Sequence, residues 1–196
     1  EILGIKQQIS NTNNAHNGFL QIIKFSNLDK WGVDKLLYEN HEILCSAKFT
    51  NIKLKDILEI NPSTSFEELK DETILSFIPM ECISEEYGEF ITQKNGSKKE
   101  SNGYTKFKNG DLIWAKITPC MQNGKSAIAT NLKNGFGYGS TEFYVLRNHN
   151  SQINTLYIHS LLRLPILLHS AMSSFVGSAG QQRDPKNFLE NLYVPL

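Results

Sequence analysis

The sequence lacks an apolar run of the roughly 18 residues that a membrane-spanning helix needs. Its best candidate, Leu161 to Met172, is broken by Arg163, Pro165 and His169. The basic-then-apolar opening of a signal peptide is missing, and the chain begins at Glu1 rather than at a methionine. These features favour a piece of a longer cytoplasmic protein that continues past Val194-Pro195-Leu196. Cysteine is scarce. Cys45, Cys82 and Cys120 are odd in number and far apart, and no C-x-x-C pair occurs. Neither a disulfide framework nor a zinc ribbon is indicated, so buried, reduced thiols are the expectation.

Catalytic signatures are missing as well. No P-loop is present, and the histidines at 16, 41, 149, 159 and 169 show no H-E-x-x-H spacing. Glu68-Leu69-Lys70 matches the E-x-K half of a nuclease metal site, but in a polar stretch rather than on a core strand. The Asn/Asp-Pro-Pro-aromatic motif of adenine methyl transfer is absent, and Asn61-Pro62-Ser63 does not replace it. Gly135-Phe136-Gly137-Tyr138-Gly139 is glycine-rich, yet the following Thr141 to Leu146 reads as strand. A dinucleotide loop must instead enter a helix N-terminus. The expectation is a chain without metal, cofactor or catalysis of its own.

Net charge is also missing, with 20 Lys and Arg against 20 Asp and Glu. The distribution is uneven. Residues 1–90 carry a net charge of −7, residues 91–135 carry +6, and residues 136–196 carry +1. Binding to a phosphate backbone needs a local basic surface rather than a basic total. The plainer alternative is a solvated, Lys-rich loop region.

What is present reads as an α/β chain with a β centre. Residues 1–50 form a helical or irregular lead-in, with turn chemistry at Asn11-Thr12-Asn13-Asn14 and Asn17-Gly18. The stretch Phe25 to Trp31 reads as a loop that anchors Trp31. A domain over 51–196 follows. Ile52 to Leu58 reads as a short strand running into helical turns, and Asn61 to Glu72 as a loop. Ile74 to Met80 reads as a strand stopped by Pro79. Five Asn-Gly pairs then begin at residues 95, 102, 109, 123 and 134. Asn-Gly suits the positive φ of a type I′ hairpin turn. Between them, strands are expected over 111–117, 126–130 and 141–146, giving a compact, mostly antiparallel sheet with exposed, Lys-rich loops. Helices are expected over 154–163 and 166–175, and a third from Asp184-Pro185, where Asp caps and Pro fits the first turn.

Three segments carry a resemblance. One is Phe77-Ile78-Pro79-Met80-Glu81-Cys82-Ile83. The second runs from Gly110 to Pro119, through Asn123-Gly124-Lys125-Ser126-Ala127, to Gly139-Ser140-Thr141-Glu142-Phe143. The third is Gly177-Ser178-Ala179-Gly180-Gln181-Gln182-Arg183, a short helix, and Val194-Pro195-Leu196. In this order they resemble the target recognition domain of type I restriction-modification specificity subunits, which recurs in fused type II restriction-methylation enzymes. The resemblance covers about residues 50–196. It implies an α/β fold with a small, strongly curved sheet, flanked by a long helix that would begin after Leu196. It implies double-stranded DNA, methyltransferase subunits and a restriction subunit as partners. S-adenosylmethionine, ATP and magnesium would belong to those subunits. Whole family members carry two such domains, one per half of a bipartite target.

The residues agree with that role. Lys98, Lys99, Lys106 and Lys108 in the Asn-Gly region are candidate phosphate contacts. Lys116 and Lys125 are further candidates, beside the plainer reading as strand-edge charges. Ser140 and Thr141 contact DNA or merely cap a turn. Gln181, Gln182 and Arg183 stand before a helix N-terminus, where amides and a guanidinium suit phosphate or base edges. Trp31, Tyr104 and Trp114 read as core or interface groups. A protein-interaction or carbohydrate-binding β domain remains the alternative from another class.

Overall fold

The computed structural model describes residues 42–175 and 185–196, with side chains described at 42–172 and 186–196. Of the lead-in, only 42–50 falls in this range, as turns and bends. Trp31 and its loop lie outside the described residues.

Ten strands and three α-helices are found among the described residues. A two-stranded ribbon pairs β1 (Asn51–Lys53) with β10 (Tyr193–Pro195). One four-stranded sheet has the order β2 (Leu58–Ile60), β9 (Phe143–Asn148), β6 (Leu112–Ala115), β7 (Ser126–Ile128), all antiparallel. A second has the order β4 (Lys94–Ser97), β3 (Ile74–Ile78), β8 (Phe136–Gly139), β5 (Thr105–Lys108). Its β3–β8 pair is parallel and its other pairs antiparallel. The mixed, mostly antiparallel α/β class expected from sequence holds, with the strands divided between two packed sheets.

Alternation explains the layers, because successive strand residues face opposite sides. Ile113, Ala127, Phe143 and Val145 of the first sheet meet Ile78 and Phe107 of the second in one core. Leu112, Trp114, Tyr144 and Leu146 point the other way, onto the helices. All four residues of β6 are therefore buried, as expected for a central strand covered on both faces. The helical layer is α1 (Thr155–Leu162), α2 (Pro165–Phe175) and α3 (Pro185–Asn191). Asn154 caps α1 by accepting the Leu156 amide, which suits its β-region backbone. Pro165 and Pro185 each stand at a first helical position, where a missing N–H costs nothing.

Residues 136–139 of the glycine-rich stretch form strand β8, and packing explains the two glycines within it. A Cβ on Gly137 would lie 2.5 Å from the Phe107 ring, and one on Gly139 would lie 2.1 Å from the Ile78 carbonyl oxygen.

The Asn-Gly pairs correct the hairpin expectation. Asn95-Gly96 lies inside β4, paired with β3. Asn102-Gly103, Asn109-Gly110 and Asn134-Gly135 turn the chain between strands that do not pair with each other. Asn134 and Gly135 both have positive φ, as a type I′ turn demands, yet they connect β7 to β8 across the two sheets. Asn123-Gly124 ends the long connection of the β6–β7 hairpin. The cysteines also differ from expectation: Cys82 is buried, Cys45 is exposed, and Cys120 is between.

One buried polar contact ties layers together. His159 of α1 and Ser126 of β7 share a hydrogen bond of 3.0 Å between Nε2 and Oγ, and both are buried. Burial first, and then the Arg163 charge, push the His159 imidazole down to about 4. The folded state therefore holds His159 neutral, while the unfolded chain protonates it near pH 6.5. Its stabilising contribution is complete above about pH 6.5 and is lost as pH falls through about 4, for a total on the order of 3 kcal/mol. Acid unfolding profiles of the native protein and of His159→Leu should converge as pH drops from 6.5 to 4. Parallel profiles over that window would show that His159 does not sense pH.

Candidate nucleic-acid interface

The second sheet separates the candidate lysines into two groups. Strand registers place Ile74, Ser97, Lys108 and Phe136 at one end of this sheet. Lys98 and Lys99 follow Ser97, and the 132–135 turn docks beside the 109–110 turn. Asn109 accepts the Leu132 amide at 3.0 Å, its own amide donates to Gly135, and Asn134 donates to the Ile74 carbonyl at 2.9 Å. These asparagines therefore bond the turns to each other. Lys99, Lys108 and Lys133 are exposed at this end. Lys133 was missed by the sequence reading, because long-range bonds, among them Asn109–Leu132, Asn109–Gly135 and Asn134–Ile74, bring its turn beside Lys108.

Lys98 behaves differently from Lys99. Its ammonium donates to the Leu69 carbonyl at 2.7 Å and pairs with Asp71 at 3.1 Å. It fastens the 61–73 loop to the sheet. Between its neighbours, Glu100 is held by the Ser97 amide and hydroxyl, which keep its carboxyl below the usual range.

Lys106 projects from the middle of β5, on the face opposite buried Phe107. Register places it opposite Tyr138, and its ammonium lies 5.1 Å from the Phe66 ring centroid. Phe77, Tyr104 and Tyr138 cluster on this face, with Phe77 and Tyr138 stacked at 5.1 Å. Tyr138 is buried and Tyr104 is partly exposed, so the cluster is chiefly a packing device. Trp114 is a core residue, as expected.

The opposite end gathers Lys116, Lys125, Ser140 and Thr141. Lys116 sits after β6 and its amide bonds the Glu142 carbonyl, which brings it beside Ser140-Thr141. Its ammonium lies 5.6 Å from the Tyr144 ring centroid. Lys125 turns inward, donating to the Met80 carbonyl at 3.3 Å with Glu85 at 3.7 Å. The Ser140 hydroxyl accepts the Glu142 amide at 3.1 Å, as a turn-capping serine does, and Thr141 is exposed. Acidic residues crowd this end. Glu81 pairs with Lys94 at 2.7 Å, which holds the Glu81 carboxyl below its usual range. Glu85, Glu86 and Glu89 are exposed on the small 82–91 hairpin. Arg163 braces that hairpin by donating to the Glu85 and Glu86 carbonyls at 2.9 and 2.8 Å. Gln181, Gln182 and Arg183 lie outside the described residues. Among the described residues no group of three or more His, Cys, Asp or Glu could hold a metal ion, and no helix is long and apolar enough to cross a membrane.

The described surface is thus a scaffold that presents turns, with cations facing solvent at one end. Residues 47–196 match the model of the type I restriction modification DNA specificity domain. This chain belongs to that family. The specificity subunit of the type I restriction enzyme EcoAI from Escherichia coli is 44% identical over 145 residues, covering 72% of this chain and 24% of the relative. That of EcoEI, also from Escherichia coli, is 42% identical over 147 residues, covering 74% of this chain and 24% of the relative. The chain spans about a quarter of the length of these curated relatives. The crystal structure of the HsdS subunit from Thermoanaerobacter tengcongensis aligns with a TM-score of 0.61 at 17% identity, over 78% of this chain and 38% of that one. A structure from a study of assembly and conformational transition of the type I restriction-modification system aligns with a TM-score of 0.58 at 16% identity, over 76% and 37%. At such identities these two likenesses establish the fold. They place this specificity domain in the architecture that its residues suggested.

Proposed function

We propose that this specificity domain recognises one half of a bipartite target in double-stranded DNA. It directs partner methyltransferase and restriction subunits to that site and carries no catalysis itself. The family match over 47–196 carries the reading. The named relatives are separate specificity subunits, which favours a multisubunit enzyme over a fused single chain. On this reading S-adenosylmethionine, ATP and magnesium belong to the partners, and the assembly works in the cytoplasm. Exposed Lys99, Lys108 and Lys133 supply phosphate contacts, with Lys106 beside them and Lys116 at the far end of the sheet. Lys98 and Lys125 act mainly inside the domain, through their bonds to Leu69 and Met80. Mapping methylated bases in the host genome with and without the gene tests the function. Loss of one bipartite methylation motif on deletion is the expected result, and an unchanged map overturns it.

Phosphate contacts carry affinity but no sequence information. Replacing Lys99, Lys108 and Lys133 together by alanine should therefore weaken cognate and scrambled duplexes alike. Each lost contact should flatten the slope of log affinity against log salt by about 0.9. If the slope is unchanged, these lysines are solvated surface only.

A further inference from the structure

The connection between β6 and β7 differs in chemistry from every turn described above. Ile117-Thr118-Pro119-Cys120-Met121-Gln122-Asn123-Gly124 contains no charged residue, and lysines flank it at 116 and 125. It is closely braced. Amides of Met121, Asn123, Gly124 and Lys125 donate back to the carbonyls of Ile117, Pro119, Met121 and Cys120, at 2.9 to 3.0 Å. Met121 is fully buried in the helix-side core and anchors the loop from within. The Arg163 guanidinium and the Ser126 hydroxyl both donate to the Gly124 carbonyl. From this anchored backbone Ile117, Thr118, Pro119, Gln122 and Asn123 face solvent.

Neutral donors and acceptors, or methyl groups, held on a braced backbone are one way to read a base edge, and this loop offers them. The asparagines at 109 and 134 are engaged in turn bonds, as is Asn61, which accepts the Val145 amide. The Asn123 side chain makes no hydrogen bond to another described residue. Among the described residues Gln122 reaches only the Met172 sulfur, a weak acceptor that a stronger partner displaces. An exposed carboxamide fits adenine, whose major-groove edge pairs one donor with one acceptor. Lys116 stands at the start of the loop, with its ammonium 5.6 Å from the Tyr144 ring centroid, as a cation available to a flanking phosphate, while Glu85 and Glu86 disfavour a phosphate on the Arg163 side.

We propose that the 117–124 loop is a base-reading element of this domain, with Asn123 as the principal specificity-determining residue, Gln122 as its neighbour, and adenine as the base they fit. The proposal rests on the DNA-recognition reading above and goes further by assigning where sequence is read.

The test uses the complete specificity subunit in its assembled enzyme, carrying Asn123→Ala, and in parallel Gln122→Ala. Duplex binding is measured on the cognate site and on a set of single-base variants, and methylated sites are mapped genome-wide. Asn123→Ala should leave the melting temperature and scrambled-duplex binding unchanged. It should also relax discrimination at one adenine position of one half-site by roughly 5- to 150-fold. Should methylation vanish altogether, cognate-only loss of binding still supports the proposal, whereas equal loss on cognate and scrambled duplexes overturns it. An unchanged motif with unchanged discrimination in both variants also overturns it. Failure of the underlying function reading is visible separately, as a methylation map that does not respond to deletion of the gene.

Discussion

Asp111→Ala is expected to cost about 3–5 kcal/mol of stability, the range for breaking one side of a buried ion pair. Asp111 is 1% exposed at the start of β6. Its Oδ1 accepts Arg147 Nε and its Oδ2 accepts Arg147 Nη2, both at 2.8 Å, which is a two-pronged pairing. Oδ2 also accepts the Lys108 amide at 2.8 Å. Arg147 continues the network to the Thr64 hydroxyl at 2.8 Å and the Ser63 carbonyl at 3.4 Å. The carboxylate pushes the Arg147 guanidinium above its ordinary value against the opposing effect of burial. One aspartate thus joins the β5–β6 turn, strand β9 and the 61–73 loop. Removing it leaves a partly buried guanidinium without its counter-charge and deprives the Lys108 amide of its side-chain acceptor, and both losses are expensive. Replacing the pair by Asp111→Leu with Arg147→Met should cost less than Asp111→Ala alone, since no unpaired charge remains. Urea unfolding of the three proteins measures this. A loss below 1 kcal/mol for Asp111→Ala would mean that water already screens the pair.

That network shows where sequence reading stops. Asp111 and Arg147 are 36 residues apart, and neither has a local signature that announces the other. Strand β6 was legible because four apolar residues follow a turn, and β9 because apolar residues continue from Phe143. Helix α1 was legible from Asn154 as a cap, and α3 from Pro185 as a first-turn residue. Asn-Gly pairs were legible as turns at 109 and 134, because positive φ is a local demand. Which strands those turns connect is a long-range property, so the pairs misled as hairpin signals. Asn95-Gly96 failed even as a turn. The strand takes glycine at 96 because the Tyr138 hydroxyl occupies the space a side chain would need. Among the candidate DNA contacts, type and charge were readable but orientation was not. Lys98 and Lys99 are neighbours, yet only Lys98 turns inward, toward Asp71 across the sheet end. Lys116 and Lys125 likewise look alike in sequence, and the second is directed inward by the Met80 carbonyl and Glu85.

Gly139→Ala should be among the most disruptive single-methyl additions in this domain, at on the order of 3 kcal/mol or more. The added carbon would lie 2.1 Å from the Ile78 carbonyl oxygen, 3.1 Å from the Ile78 carbonyl carbon and 3.0 Å from the Phe143 ring. Two of those atoms are backbone, so no rotamer change relieves the contact. Gly139 pairs with Ile78 in the parallel β3–β8 register, and Phe143 and Ile78 belong to the core between the sheets. The methyl must therefore separate two strands or push Phe143 out of the core. The neighbouring Ser140-Thr141 segment, which places Glu142 against Lys116, moves with β8. Gly103→Ala provides the contrast. Nothing lies within 4 Å of its added carbon, so only the positive φ of 79° opposes the change, at about 1–2 kcal/mol. Urea unfolding of both variants separates backbone collision from conformational strain. Equal losses at the two positions would show that β8 can shift to admit a side chain, and that the close approach of β3 and β8 is not required.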